Sequence, residues 1–390
     1  MKVMIPYGRQ EISQADIDAV VAVLRSDFLT QGPTVPAFEN AVASYCGVQH
    51  AVAVNSATSA LHIACLALGV GKGDVVWTTP ITFVASANCA LYCGATVDFV
   101  DIDPLTYNLS VDRLAEKLEQ AAQTEKLPKV VIPVHLCGQP CDMVAIYALG
   151  QKYGFKIIED ASHAIGGKYK DEPIGNCRYS NITVFSFHPV KIITTGEGGM
   201  AVTSDAALAK KMRLLRSHGI SSVPEDMRER PPNEIWNYQQ IDLGFNYRMT
   251  DIQAALGLSQ MTRLDKLVFK RQEIAKRYNQ QLSPLPLITP WQNSQSYSAF
   301  HLYVIRLKLT EIHGTQRQVY DALTSAGILV NLHYIPVYLQ PYYAKMGFRE
   351  GYCPNAEQYY SEAISIPLYP GLTETQQDLV VAKLCEAIGL

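Results

Sequence analysis

Between residues 50 and 205 seven short apolar runs alternate with amphipathic stretches, and that alternation constrains the fold more than any other feature of the chain. The runs are AVAVN (51–55), VVWTT (75–79), VDFVD (97–101), KVVIPVH (129–135), FKIIED (155–160), ITVFSF (182–187) and GMAVTS (199–204). Helix-like stretches lie between them: TSALHIACLAL, FVASANCALYC, SVDRLAEKLEQAA and MVAIYALGQKYG. Runs that are apolar throughout, rather than at every second position, are strands buried on both faces. The pattern predicts an α/β fold with a mostly parallel central sheet covered by helices on both sides. Ligands of such a sheet bind at the carboxyl ends of its strands.

The 390 residues exceed one ordinary domain. Residues 205–217 read as another helix, and SSVPEDMRERPPNE (221–234) as an exposed, Pro-rich loop. A helix is expected from about Thr250, with Ile252, Ala255, Leu256 and Ser259 on its packed face. A long charged amphipathic helix near 262–282 would link two domains. Strands YVIRLKL and ILVNLHY then alternate with helices TQRQVYDALTSAG and TETQQDLVVAKLCEAIG. The expected division is a large cofactor-binding domain over 1–255 and a small α/β domain over 256–390.

The formal net charge is −3, and no basic stripe points to nucleic acid or an anionic membrane, so any anion must be held locally. The N-terminal MKVMIPYGRQE lacks the apolar core of a secretory signal, and no apolar run reaches the length of a membrane span, so a cytoplasmic protein is expected. The nine cysteines form no CxxC pair and sit mostly in apolar neighbourhoods. They read as small buried side chains, not as disulfides or a metal site.

Few residues carry chemistry, and each has an ordinary alternative. Asp160 ends the buried run KIIED. It either caps the next segment of chain or pairs with a protonated ring nitrogen, as pyridoxal phosphate would offer. Lys191 lies in the Gly-rich stretch SFHPVKIITTGEGGM. It is either a surface lysine with a buried stem or a desolvated amine suited to imine formation. NSATSALH opens a helix directly after a strand. Its backbone N–H groups and hydroxyls either cap the helix or cradle a phosphate. Phe83, in TTPITFVASAN, packs in the core or stacks on an aromatic ring. No Walker lysine or GxGxxG occurs, which disfavours nucleoside triphosphates and dinucleotides.

These stretches, together with EDASHAIG, LRSHGI, LGFNYRMTDIQAALGLSQ and VNLHYIPVY, resemble the DegT/DnrJ/EryC/StrS family of sugar aminotransferases along nearly the whole chain. The resemblance implies the fold-type I pyridoxal-phosphate architecture, with pyridoxal 5'-phosphate as cofactor. Lys191 would be the Schiff-base lysine and would shuttle the proton. Asp160 would face the pyridine nitrogen and Phe83 the ring. Ala57 and Thr58 would offer N–H groups, and Ser186 its hydroxyl, to the phosphate. Many relatives carry glycine where this chain has Ala57. His163 would lie near the ring hydroxyl, and Asn246 would reach the phosphate of the neighbouring subunit. Tyr7, Arg248, His333 and Tyr334 would contact substrate.

The resemblance further implies a homodimer with shared active sites, L-glutamate as amino donor and a UDP-sugar as acceptor. NSATSAL, SFHPVKIITT and HYIPVYLQPYY narrow it to family members that aminate C4 of UDP-linked 2-acetamido-2,6-dideoxy-L-arabino-hexos-4-ulose, a step towards pseudaminic acid. Other nucleotide keto-sugars, 3-keto or D-configured, are the alternative. Two further readings run against the sequence. A dehydratase relative would carry histidine in place of Lys191, and a non-catalytic regulator on this fold would have lost Lys191 or Asp160.

Overall fold

The computed structural model describes residues 4–229, 234 and 237–390. Its centre is a seven-stranded sheet made of the seven expected runs: β1 (His50–Val54), β2 (Val75–Thr78), β3 (Thr96–Phe99), β4 (Val130–Ile132), β5 (Lys156–Asp160), β6 (Ile182–Ser186) and β7 (Gly199–Thr203). The spatial order is β1-β7-β6-β5-β4-β2-β3. All neighbours are parallel except β7, which runs antiparallel to both β1 and β6. Asp160 of β5 lies opposite Val184 of β6, which brings the ends of these strands to one edge.

The chain's helices include α1 (Gln14–Leu24), α2 (Thr34–Cys46), α3 (Ala57–Ala67), α4 (Ala85–Tyr92), α5 (Val111–Gln123), α6 (Met143–Tyr153), α7 (Ala206–Arg216), α8 (Asp251–Met261), α9 (Leu264–Leu282), α10 (Gln316–Ser325) and α11 (Glu374–Ile388). Alternate strand residues feed two cores, as the two-residue period requires. Val52, Val54, Ile158 and Val184 pack with α3, α4 and α7 on one face. Ala51, Ala53, Ile157 and Phe185 pack with α2, α5 and α6 on the other.

A third core lies beyond the sheet. It joins the second half of α9 (Ile274, Tyr278, Leu282) to α10, α11 and a three-stranded antiparallel sheet of β8 (Leu287–Ile288), β9 (Tyr303–Leu307) and β10 (Ala363–Ile366). The first half of α9 (Leu264, Leu267, Val268) packs with the central sheet, so this helix contributes to both cores. Near the N-terminus, Ile5 pairs in parallel with Ile328 and joins the third core. Thr–x–x–Gln capping boxes start α8, α10 and α11, where the threonine hydroxyl accepts from the glutamine N–H.

Three expectations change. The buried face of α8 is Asp251, Ala254, Gly257 and Gln260, joined by Ala255, whereas Ile252, Leu256 and Ser259 are half-buried. The polar members are hydrogen-bonded, which makes their burial affordable. The Asp251 carboxylate accepts from the N–H groups of Gly32 and Val35 at 2.5 and 2.7 Å. Gln260 accepts from Thr194 N and donates to Glu11 O. Gly257 lies where a Cβ would sit 2.6 Å from the Phe38 ring. Apolar periodicity misses such a face.

The expected strand ILVNLHY is regular only at Ile328–Leu329, after which the chain turns to line a cavity. The divide at 255/256 falls inside α8. Of the Pro-rich insert, Val223, Pro224 and Glu225 are exposed, while residues 230–233 lie outside the described residues. All nine cysteines are free. Among the described residues no helix is long and apolar enough to cross a membrane.

Candidate active site

A cavity of about 620 Å³ opens at the carboxyl ends of β1, β2, β5 and β6. It is lined by ten of the twelve residues singled out from the sequence: Tyr7, Ala57, Thr58, Phe83, Asp160, His163, Ser186, Lys191, His333 and Tyr334.

Asp160 is 3% exposed at the last position of β5. A buried carboxylate needs donors. Its Oδ2 accepts from Ser86 Oγ at 2.6 Å and its Oδ1 from Ser162 N at 3.1 Å. No helix follows β5, so capping reduces to this local turn, and the carboxylate faces the cavity. Ser86, from the first turn of α4, was not singled out by sequence.

Lys191 sits on the turn between β6 and β7. The turn is closed by Thr195 N donating to Phe187 O at 3.0 Å and anchored by Thr194 N donating to Gln260 Oε1 at 3.1 Å. Among the described residues the Lys191 amine has no hydrogen-bond or ion-pair partner. Burial pushes its pKa down to about 8, and Asp160 opposes the shift in part. An amine in this state is far more often neutral at physiological pH than an ordinary lysine, which suits it to nucleophilic and proton-transfer work.

Helix α3 points its N-terminus into the same cavity. First-turn N–H groups lack intrahelical acceptors. Ser56, the N-cap, takes that of Ser59, and those of Ala57 and Thr58 remain at the cavity wall. Gly199 explains the glycines after Lys191, because a Cβ there would lie 2.5 Å from Ala57 N and from the Ser56 backbone. Only glycine lets β7 approach the turn this closely. An alanine at 57 leaves the N–H in place. Ser186, at the end of β6, completes this side.

The opposite wall is aromatic. Phe83 is 58% exposed, unusual for a phenylalanine in a chain with this much core, and its ring lies 6.4 Å from that of Tyr334. His163 Nδ1 accepts from Cys137 N at 3.2 Å, so the proton resides on Nε2, which lies 3.3 Å from the Tyr334 hydroxyl. His333 lies 2.8 Å from Ser365 Oγ through Nδ1 and 3.4 Å from Asn331 Nδ2 through Nε2, with its ring 5.1 Å from that of Tyr7. Asn331 Oδ1 accepts from Leu332 N, which leaves Nδ2 to donate to His333 Nε2. Burial keeps both imidazoles neutral: His163 is held well below the usual histidine range and His333 is pushed down to about 3, with the Lys191 charge adding to each shift. A third histidine, His301, lines the same wall and was not singled out by sequence.

Asn246 and Arg248 are not in the cavity. Asn246 is exposed and bridges Ser217. Arg248 borders a separate hollow of about 250 Å³ with Gln31, Gly32 and Arg216. Among the described residues no cluster of histidine, cysteine or acidic side chains could hold a metal ion. The cavity's own groups fit a phosphorylated aromatic aldehyde: a buried carboxylate, an amine of lowered pKa, a helix N-terminus with N–H donors and an uncovered aromatic face.

Comparison with known proteins points the same way. Residues 10–385 match the DegT/DnrJ/EryC1/StrS aminotransferase family. The chain is 40% identical over 387 residues to the spore coat polysaccharide biosynthesis protein SpsC of Bacillus subtilis, covering 98% of this chain and 97% of that protein. It is 39% identical over 367 residues to the UDP-4-amino-4,6-dideoxy-N-acetyl-β-L-altrosamine transaminase of Campylobacter jejuni, covering 94% and 93%. Helicobacter pylori PseC, an aminotransferase of pseudaminic acid biosynthesis, superposes with a TM-score of 0.90 at 30% identity over 99% of both chains.

Proposed function

The chain belongs to the DegT/DnrJ/EryC1/StrS aminotransferase family and is a pyridoxal-phosphate-dependent sugar aminotransferase; on that premise we propose that it moves an amino group from L-glutamate to C4 of UDP-2-acetamido-2,6-dideoxy-L-arabino-hexos-4-ulose. The product would be UDP-4-amino-4,6-dideoxy-N-acetyl-β-L-altrosamine, a precursor of pseudaminic acid. The observation that carries this acceptor is the likeness to the C. jejuni transaminase over almost the whole of both chains.

In this reading Asp160 faces the ring nitrogen of the cofactor and keeps it protonated. Ala57 N, Thr58 N and the Ser186 hydroxyl hold the phosphate, Phe83 packs against the ring, and His163 lies near the ring hydroxyl. When bound, pyridoxal phosphate supplies an electron sink for the carbon that loses or gains nitrogen. Lys191 Nζ takes the proton from the α-carbon of glutamate, and on the return it handles the proton at C4 of the sugar. A positioned base of this kind contributes about 10²–10⁴-fold in rate. Neutral His163 and His333 add no charge that would compete for that proton. Tyr7, His333 and Tyr334 form the wall against which the sugar lies.

Asn246 and Arg248 belong, in our reading, to the site of a second copy of the chain. What supports this is their position outside their own cavity and, a few residues earlier in the chain, the exposed apolar side chains of Tyr238, Ile241 and Leu243, the last 75% exposed. Large apolar side chains left exposed in one stretch of chain are what an association surface would cover. The division into a cofactor-binding domain and a smaller C-terminal one is likewise proposed, with α9 as the connector.

The likeness to SpsC keeps a different nucleotide keto-sugar as the second reading. One experiment separates the two. The enzyme is converted to its pyridoxamine form with glutamate and challenged with UDP- and dTDP-linked 4-keto and 3-keto hexoses. The UDP-L-arabino 4-keto sugar is expected to restore the aldehyde-form absorbance fastest. Activity with a dTDP-linked 3-keto sugar and none with the UDP sugar would overturn the proposed acceptor.

A further inference from the structure

Four histidines line the Lys191 cavity, and they are not alike: His188 is exposed and the other three are buried. His163 has both ring nitrogens engaged, by Cys137 N and the Tyr334 hydroxyl. His333 has both engaged, by Asn331 and Ser365. His301 is 4% exposed, and among the described residues neither of its nitrogens has a hydrogen-bond partner. Its ring lies against that of His163, with centroids 4.4 Å apart.

The position of His301 is fixed from behind. Buried Arg271 of α9 donates to the carbonyls of Phe300, His301 and Leu368 at 3.1–3.2 Å. That clamp holds the backbone just before β9 against the linker helix and sets the ring against His163. Of the two nitrogens, Nδ1 is sealed from solvent. A sealed lone pair costs less than a sealed, unpaired N–H. The ring proton therefore belongs on Nε2, the nitrogen left with access to the cavity. Burial and the neighbouring cations keep the ring neutral.

We infer that His301 is a specificity-determining residue of the transfer, donating its Nε2–H to an uncharged oxygen of the keto-sugar acceptor. The inference rests on the reading of the chain as a sugar aminotransferase. A neutral N–H donor suits a hydroxyl, keto or acetamido oxygen. The carboxylates of glutamate call instead for cations, and among the described lining residues Lys191 is the one cation. The location agrees with this choice. His301 lines the cavity with His333 and Tyr334 from the C-terminal part of the chain, whereas Asp160 and Ser186 come from ends of central-sheet strands and Ala57 from the start of α3.

The test separates the two half-reactions in the holoenzyme. His301→Phe keeps an aromatic ring beside His163 but loses the donor, and His301→Gln keeps an N–H close to the Nε2 position. For the glutamate half-reaction, both variants should stay within about threefold of wild type. For the sugar half-reaction, His301→Phe should lose about tenfold or more in kcat/KM, mainly through KM, and His301→Gln should recover most of it. The acceptor used is whichever sugar of the panel discharges the wild-type pyridoxamine form fastest. Failure of the UDP 4-keto sugar in wild type would thus count against the proposed acceptor and leave the His301 comparison intact. Equal losses in both half-reactions, or no loss in the sugar half-reaction, would overturn the inference. If His301→Phe does not retain cofactor, His301→Asn takes its place, with the amide at the Nδ1 position and the same selective loss expected.

Discussion

The Ser86 hydroxyl donates to Oδ2 of Asp160 across 2.6 Å, although the two residues stand 74 positions apart in the chain. Ser86 in turn lies 2.8 Å from the Thr82 hydroxyl, so the carboxylate is held by a short chain of side-chain hydroxyls from the start of α4. With Ser162 N on Oδ1, the orientation of Asp160 is set without any cation. An amide in its place would remove the charge and keep a carbonyl oxygen for Ser86, giving up the hydrogen bond from Ser162 N.

For that reason Asp160→Asn is the informative substitution. It should retain cofactor to within about tenfold of wild-type affinity, because the phosphate contacts are separate. The rate of α-proton removal from glutamate should fall on the order of 10²-fold or more, since the electron sink loses its protonated nitrogen. Single-turnover absorbance and equilibrium dialysis measure the two effects. Near-normal half-reaction rates would show that Asp160 only shapes its turn.

Lys191 should carry the cofactor. Borohydride treatment of the yellow holoenzyme is expected to fix the pyridoxyl group on the peptide containing Lys191, read by mass spectrometry. A tag on another lysine would end the assignment. Lys191→Ala should still bind cofactor but lose turnover by about 10²-fold or more.

The lowered pKa of Lys191 has a sign that can be checked. Uptake of pyridoxal phosphate by cofactor-free protein needs the neutral amine, so the rate should climb with pH up to about 8 and level off above it. An ordinary lysine would keep climbing towards 10.5. The folded protein binds fewer protons at this site than the unfolded chain between about 8 and 10.5, so this group makes the cofactor-free fold more stable as pH rises through that window. His333, held near 3, and His163, held well below its usual range, should add no inflection between pH 6 and 9. A second inflection near 6.5 would contradict this.

Gly199→Ala tests the cradle. The new methyl group would meet Ala57 N and the Ser56 backbone at 2.5 Å, and backbone cannot swing aside. Overpacking of this kind costs about 1–3 kcal/mol. The variant should melt lower and bind pyridoxal phosphate at least about tenfold more weakly. Unchanged affinity would mean that the start of α3 does not hold the phosphate.

Shared sites predict complementation. An Asn246→Ala/Arg248→Ala chain and a Lys191→Ala chain should each be nearly inactive. In isolated heterodimers both lesions fall in one site and the other site is intact, so roughly half of wild-type activity should return. Folded heterodimers without rescue would place Asn246 and Arg248 in their own chain's chemistry, or in none.

The strands of the central sheet were legible because each is buried on both faces, which writes an unbroken apolar run. Lys191 and Asp160 were legible because charge in such runs is rare. Ser86 was not, since a serine in ASANCAL looks like any small helical residue until the fold brings a carboxylate to it. The packed face of α8 was misread because Asp251 and Gln260 bury themselves through hydrogen bonds that apolar spacing does not register. His301 lies in SAFHLYV, where only the presence of a histidine in an apolar run hinted at more than core.

The pairing of Ile5 with Ile328 brings together two segments that lie far apart in the chain. On the ribosome, Ile5 emerges more than three hundred residues before the strand it needs, a delay on the order of tens of seconds at ordinary elongation rates. The central sheet can close in that interval, while the C-terminal layer must wait for its N-terminal edge to be recruited back. The two layers are then joined both through this edge and through α9, so a chain cut between them after folding should stay together.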